Sequence, residues 1–269
     1  MLSAILRQNP QFRAGMVSPL ARIYMALHRS MNEDSAWRKD LPIARRKRIL
    51  SGQIKTYYAD VSSDTVVFDT NRHWASWSTE MNDLFPGSKF VALVRPIPWV
   101  LNSYESLARN NPFDQPFLFP AGSNVETHID IMMSPGGEIR GPYNTLQTLF
   151  YGPQAQNMMV IDYDSLTSDP EDTLRKLYDF LEEPYWPHEF SNLEFSADYF
   201  DGTRNLPGLH HVSGPVRREK RKFILPPDVF NRFQGMDFWR DQKWQDREIR
   251  IVAPTNHPLT ETTSAQAFI

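Results

Sequence analysis

Residues 89–104 read KFVALVRPIPWVLNSY, and this stretch decides the fold. The apolar run from Phe90 to Val94 is unbroken and predicts a strand that is buried on both faces. Arg95 ends the strand, and a helix is predicted to begin at once after it. The free N–H groups of that helix and the planar guanidinium together favour an anion such as a phosphate. Ser103 follows Arg95 by eight residues, about two helical turns, so its hydroxyl can face the same anion.

An alternative interpretation of these two residues is equally compatible with their spacing. In that interpretation Arg95 pairs with a carboxylate at the edge of the core, and Ser103 is simply packed in a helix. The spacing alone therefore leaves the phosphate site as one of two hypotheses.

Strands and helices alternate on both sides of this stretch. Short apolar runs at 66–68 and 158–161 predict two further strands, and helices are predicted over 43–58, 98–110 and from Pro170 onward. This alternation predicts an α/β fold with a parallel sheet covered by helices on both faces. Ligands bind such sheets at the carboxyl ends of the strands, so Asp69, Arg95 and Asp162–Tyr163 are expected to converge on one cleft.

Composition excludes several classes of protein. The chain has 269 residues, 41% of them hydrophobic, a formal net charge of −3 and no cysteine. This rules out disulfides, thiolate catalysis and cysteine-based zinc sites, and it argues against a nucleic-acid or membrane-surface partner. No apolar run approaches the roughly 20 residues that span a bilayer, so a cytoplasmic location is expected. The basic run 45–48 is interpreted as a solvated helix face.

We expect one domain over residues 1–252. Its portion 183–252 is expected to be irregular, and 253–269 to be a polar tail. Residues 110–140 are rich in proline, glycine and asparagine and predict a long connection over the site that holds a short helix.

Three elements, in this order along the chain, resemble the sulfotransferase family. The stretch 84–90 is similar to tyrosylprotein sulfotransferases, and Arg95 with Ser103 resembles the family's 3′-phosphate-binding motif. Residues 160–166, VIDYDSL, resemble its strand–tyrosine–acidic–helix element, which implies that Tyr163 contacts adenine. The resemblance covers most of residues 1–185.

The resemblance implies both a fold and a reaction. The fold is a P-loop-NTPase-like parallel sheet flanked by helices. The reaction is transfer of a sulfuryl group from 3′-phosphoadenosine 5′-phosphosulfate (PAPS), used as co-substrate without a metal, to a hydroxyl or amine. The resemblance implies a small molecule, a glycan or a peptide as acceptor, and neither the identity of the acceptor nor the oligomeric state follows from the sequence.

The beginning of the chain departs from the family pattern. Sulfotransferases open with a strand and a loop that cradles the 5′-phosphosulfate, whereas residues 1–10, MLSAILRQNP, resemble the helix after that loop. We therefore expect the first strand and the phosphate loop to be missing. Two explanations stay open, a start placed within the real first helix and a degenerate relative.

Candidates for the chemistry of transfer follow the strand at 66–68. His73 lies 22 residues before Arg95, a spacing that resembles the catalytic histidine of cytosolic sulfotransferases, and its neutral imidazole can accept a proton. Arg72 is a candidate for stabilising the leaving phosphate. The alternatives are a partly exposed histidine at a helix start and a surface salt bridge. The glutamate mechanism of tyrosylprotein sulfotransferases has no counterpart in residues 15–18.

The family also closes a C-terminal loop over the 3′-phosphate. Residues 208–218 occupy that place, which implies His210 and Arg217 as further nucleotide-binding candidates. A metal site at His210 and His211 is disfavoured because no third ligand stands at suitable spacing.

Two competing functions remain beside the enzyme. One is a non-catalytic relative that binds a nucleotide or a partner. The other is a P-loop kinase, which is disfavoured because the sequence has no Walker lysine or magnesium-binding Ser/Thr.

Overall fold

The computed structural model describes residues 1–33, 39–111, 113, 119–202, 208–218, 222–241 and 249–254. Helices and strands alternate within these ranges, and short 3₁₀ helices span Arg72–Trp77, Ala155–Asn157 and Phe238–Arg240. In chain order the other elements are α1 (Leu2–Leu6), β1 (Phe12–Ala14), α2 (Leu20–Glu33), α3 (Ile43–Tyr57), β2 (Val66–Phe68), α4 (Ser78–Leu84), β3 (Phe90–Val94), α5 (Ile97–Asn110), α6 (Val125–Met133), α7 (Arg140–Tyr151), β4 (Met158–Asp162), α8 (Tyr163–Ser168), α9 (Pro170–Leu181), β5 (Leu193–Phe195), α10 (Asp198–Gly202), β6 (Val212–Gly214), α11 (Pro227–Phe233) and β7 (Arg250–Val252).

The principal sheet has the order β3–β4–β7, and all of its pairings are parallel. Each of the five residues of β4 is buried because neighbouring strands flank it and helices cover its faces. A second parallel pair joins β1 to β2, and β5 pairs with β6 in antiparallel fashion. The predicted α/β class with parallel sheets flanked by helices is confirmed.

One hydrophobic core connects the two parallel sheets. Phe12 of β1 and Met159 and Ile161 of β4 belong to the same buried cluster as Leu177 of α9. Val91 of β3 packs against that cluster as well. Among the described residues, β2 and β3 each pair along one edge, so the two parallel sheets share a core without a hydrogen-bonded ladder between them.

Helix α9 begins and ends where local chemistry requires. The Asp169 carboxylate accepts the N–H of Asp172 at 3.1 Å, and Pro170 occupies the first helical position. This confirms the predicted start of α9. The helix ends at Glu182, which adopts the left-handed conformation with φ of 63°.

Several elements differ from the sequence expectations. The connection expected at 110–140 holds α6, the short helix predicted within it, whereas α7, which begins at Arg140, was not predicted. The portion expected to be irregular holds three short strands, two α-helices and one 3₁₀ helix within its described residues. Of the expected polar tail, residues 255–269 lie outside the described residues, and the single-domain boundary stays a prediction. Within the described ranges, the helices are all too short or too polar to cross a bilayer.

Candidate functional site

Arg95 and Tyr163 meet at the carboxyl edge of the principal sheet. Val94 pairs in register with Asp162, so the residues that follow them leave adjacent parallel strands side by side. The Cζ atom of Arg95 lies 4.8 Å from the centroid of the Tyr163 ring and 5.8 Å from that of Trp99. Cation–π attraction therefore holds the guanidinium between two aromatic rings. The sequence-predicted convergence of these two strand ends is present in the structure.

Ser103 lies on α5, four residues after Trp99, and is half-buried. Residues four apart lie on one face of a helix, so Ser103 shares the face on which Trp99 contacts Arg95. Among the described residues the Ser103 hydroxyl makes no hydrogen bond, whereas the neighbouring Asn102 donates to the Lys222 carbonyl at 3.2 Å. Ser103 and Trp99 thus lie on one face of the N-terminal half of α5.

Asp162 organises the start of the helix that carries Tyr163. It has no exposed surface, and its Oδ1 atom accepts the N–H of Asp164 at 2.9 Å, which caps α8. Its Oδ2 atom accepts Nε of Arg240 at 2.8 Å and Nε1 of Trp239 at 3.3 Å. Sequence reasoning missed Arg240. The sequence does hold a signal for such a partner. A carboxylate that ends an otherwise apolar strand is buried, and a buried carboxylate requires a cationic partner.

Asp69 follows the end of β2, and its carboxylate accepts hydrogen bonds from three side chains. Its carboxylate accepts Ser18 Oγ at 2.6 Å, Tyr58 OH at 2.5 Å and Trp74 Nε1 at 2.7 Å. Burial, together with the hydrogen bond to Asp69, raises the pKa of Tyr58 above its usual range. Asp69 thereby connects Ser18, which precedes α2, and Tyr58, at the end of α3, to the 3₁₀ helix, which is a structural role.

His73 lies in the first turn of the 3₁₀ helix and is exposed. The Asn71 side chain accepts the backbone N–H of His73 at 3.0 Å and so fixes the start of this helix. Partial desolvation lowers the pKa of His73, and the charges of Arg72 and Arg22 act in the same direction against the opposing effect of Glu138. The imidazole is therefore more neutral near pH 7 than that of an ordinary histidine, as a proton acceptor requires.

Arg72 is held by Glu138, at the loop before α7. Its Nη1 atom donates to the Glu138 carbonyl at 2.9 Å, and its Nη2 atom forms an ion pair with the Glu138 carboxylate. Glu138 is mostly buried, with 13% of its side chain exposed. The guanidinium is thus fixed beside His73 with its charge partly compensated.

The segment 208–218 carries the remaining candidates, and its C-terminal end approaches α8. Asp201, which has no exposed side-chain surface, accepts both Nδ1 of His210 at 2.5 Å and its backbone N–H at 2.8 Å. Arg217 is exposed, and the Nε atom of Arg218 lies 3.9 Å from Asp164 Oδ1. His210 is therefore anchored through one ring nitrogen, while the segment that carries it passes beside the residue after Tyr163.

Side chains suited to metal ligation do not cluster in the described part of the chain: no group of three or more histidine, aspartate or glutamate residues could hold an ion there. His210 in particular is paired with a single carboxylate, that of Asp201.

Comparison with known proteins bears on the region that contains the site. The family described as "Sulfotransferase family" matches residues 1–188, a region that includes His73, Arg95, Ser103 and Tyr163. No curated protein matches the chain. A solved structure, "Sulfotransferase Domain from the Curacin Biosynthetic Pathway", is similar with a TM-score of 0.38 and 16% sequence identity, over 95% of this chain and 79% of that one.

Proposed function

The chain belongs to the sulfotransferase family, and from this premise we propose that it transfers a sulfuryl group from PAPS to a hydroxyl or amine acceptor. The observation that carries the proposal is the juxtaposition of Arg95 and Tyr163 at adjacent parallel strand ends. A phosphate-binding fork and an aromatic ring next to it are what a phosphorylated nucleoside requires.

In this proposal the nucleotide is held by its 3′-phosphate and its base. Arg95 binds the 3′-phosphate as a bidentate donor, and Ser103 adds its hydroxyl from the same face of α5. Arg95 lies over the Tyr163 ring, and in this proposal adenine contacts another part of the same ring. His210 and Arg217 complete the 3′-phosphate site from the segment that passes beside α8, which is supported by the 3.9 Å approach of Arg218 to Asp164.

The transfer itself is assigned to the 3₁₀ helix after β2. PAPS supplies the sulfuryl group when it is bound. His73 takes the proton of the acceptor hydroxyl or amine as the acceptor atom bonds to sulfur, and its lowered pKa keeps it ready to do so. Arg72 places positive charge where the bond between sulfur and the bridging phosphate oxygen breaks and the phosphate leaves.

The nucleotide assignment is tested by isothermal titration calorimetry with 3′-phosphoadenosine 5′-phosphate. We expect Arg95→Ala to weaken binding by roughly 1.5–3 kcal/mol, as for the loss of charge-assisted hydrogen bonds. Arg232→Ala is the matched control, because Arg232 lies on α11 and pairs with Glu126 and Asp130 instead. Equal affinity in Arg95→Ala and the unaltered chain would contradict the assignment.

One observation favours a second candidate, a non-catalytic relative that binds the nucleotide or a partner. The pairing of Arg72 with both the carboxylate and the carbonyl of Glu138 diminishes the charge that it can offer a leaving group. Nucleotide binding without transfer of labelled sulfuryl to any of a panel of small-molecule, glycan and peptide acceptors would support this candidate. A cytoplasmic location is part of both proposals and is tested by cell fractionation.

A further inference from the structure

We propose that Arg240, near the C-terminal end of the described chain, is a positioning residue for the nucleotide platform, by which we mean Arg95 and Tyr163 together. The proposal rests on the proposed function for the ligand of that platform. Arg240 touches neither member of the platform through a contact found in the structure, and it acts through the carboxylate of Asp162.

Arg240 lies within ion-pair distance of three carboxylates, the nearest of which belongs to Asp162. Its Nε and Nη2 atoms lie 2.8 Å and 2.7 Å from the same Oδ2 atom of Asp162. Its Nη2 atom also lies 3.4 Å from Asp164 Oδ2, and its Nη1 atom lies 3.8 Å from Asp237 Oδ2. Only 19% of the Arg240 side chain is exposed, against none of Asp162. The arginine thus neutralises a buried carboxylate that would otherwise be strongly unfavourable in its charged form.

The two carboxylate oxygens of Asp162 accept hydrogen bonds from different partners, and this arrangement connects Arg240 to the platform. The Oδ2 atom is occupied by Arg240 and by Trp239 Nε1. The Oδ1 atom is therefore left to accept the Asp164 N–H at 2.9 Å, the cap that makes Tyr163 the first residue of α8. Loss of Arg240 would free Asp162 to rotate or to take up a proton, and either change would weaken the cap.

The position of Tyr163 in turn fixes its contact with Arg95. The strand register places the two residues side by side, but the 4.8 Å approach of the guanidinium to the ring also depends on how the chain turns into α8. Arg240 is 78 residues away from Asp162 in the sequence, so the C-terminal segment controls the geometry of a site built by the central strands.

A lysine cannot reproduce this arrangement in full. The two short contacts to Asp162 come from two nitrogens of one planar guanidinium, whereas a lysine carries a single ammonium group. We therefore expect Arg240→Lys to retain charge neutralisation and to recover part of the function that Arg240→Met loses.

The test uses the full chain and two readouts. The first is the affinity for 3′-phosphoadenosine 5′-phosphate, which we expect to fall about tenfold in Arg240→Met and less in Arg240→Lys. In turnover assays the KM for PAPS should rise while kcat at saturation changes little. The second readout is hydrogen exchange of the Asp164 amide without nucleotide, which should become faster in Arg240→Met. Arg232→Met is the matched control and should change neither.

The outcomes separate this inference from the proposed function. If the unaltered chain binds the nucleotide and Arg240→Met binds it equally well, the inference is overturned. If the unaltered chain does not bind the nucleotide, the proposed function fails, whereas the Asp164 exchange rate still decides the link between Arg240 and α8. An unchanged exchange rate overturns that link. Should Arg240→Met fail to fold, Arg240→Lys and Trp239→Phe provide the same comparison, since each removes one donor to Asp162 and keeps the buried charge neutralised.

Discussion

The guanidinium of Arg95 packs over the ring of Tyr163 with 4.8 Å between Cζ and the ring centroid, although the two residues belong to different strand–helix units. The contact is a consequence of the parallel pairing of β3 with β4, which brings both strand ends to one edge. In the proposed function the pair would couple two binding roles, because a change in the ring alters the environment of the cation.

Tyr163 should therefore contribute to nucleotide affinity through its ring rather than its hydroxyl. We expect Tyr163→Leu to weaken binding of 3′-phosphoadenosine 5′-phosphate by about 1–3 kcal/mol, the usual value of stacking between a base and an aromatic side chain. Tyr163→Phe keeps the ring and should bind within about twofold of the unaltered chain by calorimetry. A loss of equal size in both variants would show that the hydroxyl matters instead.

His73 should act as the proton acceptor in its neutral form. Its pKa is lowered by partial desolvation and by nearby arginines. The His73 imidazole therefore stays neutral down to a pH below the usual histidine pKa. The rate should consequently fall only when the pH drops below about 6.5, with a midpoint under that value. His73→Gln should lower kcat by roughly 10²–10⁴ without a comparable change in nucleotide affinity.

The matched control for that variant is His211→Gln, because His211 is exposed on the segment that follows the Asp201–His210 pair. A pH–rate profile that keeps its acid limb in His73→Gln would assign the proton transfer to another group.

The sequence predicted the parts of the fold that have a strong local signal. The apolar runs of β3 and β4 and the proline in the first turn of α9 each define their element without help from the rest of the chain. The strands β1 and β7 have three residues each, too few to show a period, and they exist because a neighbouring strand supplies their hydrogen bonds.

The sequence predicted a short helix within 110–140, which is α6, but it did not predict α7. Between them Gly137 lies so close to the end of α6 that a Cβ atom there would stand 2.4 Å from the Met132 carbonyl oxygen. The glycines thus mark a tight connection between two helices, whereas in the sequence they indicate a long loop.

The candidate site was predictable to a similar extent. The convergence of Arg95 and Tyr163 follows from the rule on parallel strand ends. The same rule predicted that Asp69 lies in the cleft. It could not show that Ser18, Tyr58 and Trp74 donate hydrogen bonds to the Asp69 carboxylate. Such partners come from distant parts of the chain and leave no mark on local sequence.

We expect His188 to make the stability of the fold depend on pH. Its Nε2 atom lies 2.9 Å from the Tyr178 hydroxyl, which also accepts a hydrogen bond from Asn9 at 3.0 Å. Burial lowers the pKa of His188. A histidine with a lowered pKa contributes its full stabilisation above the pKa of the unfolded chain, about 6.5, and that contribution is lost as the pH falls below this value.

We therefore expect the free energy of unfolding in urea to fall between pH 7.5 and pH 5 more steeply in the unaltered chain than in His188→Gln. The exposed His211→Gln should keep the steep dependence. Parallel curves for the unaltered chain and His188→Gln would show that His188 does not titrate differently in the two states.

Glu182 offers a site at which the fold can be stabilised. It adopts φ of 63° after the last turn of α9, a conformation that a side chain disfavours and glycine tolerates. The N–H of Glu183 continues the cap by bonding to the Tyr178 carbonyl at 3.1 Å, so the chain has to make this turn. Glu182→Gly should relieve the strain at the turn.

The side chain of Glu182 pairs with Lys89 at 2.8 Å, but with 81% of it exposed this ion pair is of little value. We expect Glu182→Gly to raise the free energy of unfolding by roughly 0.5–1 kcal/mol, measured by urea denaturation at pH 7.5. Glu183→Gly, at a position outside the left-handed region, should give no gain. A loss of stability in Glu182→Gly would mean that the ion pair with Lys89 outweighs the backbone strain, a balance that Lys89→Met would test directly.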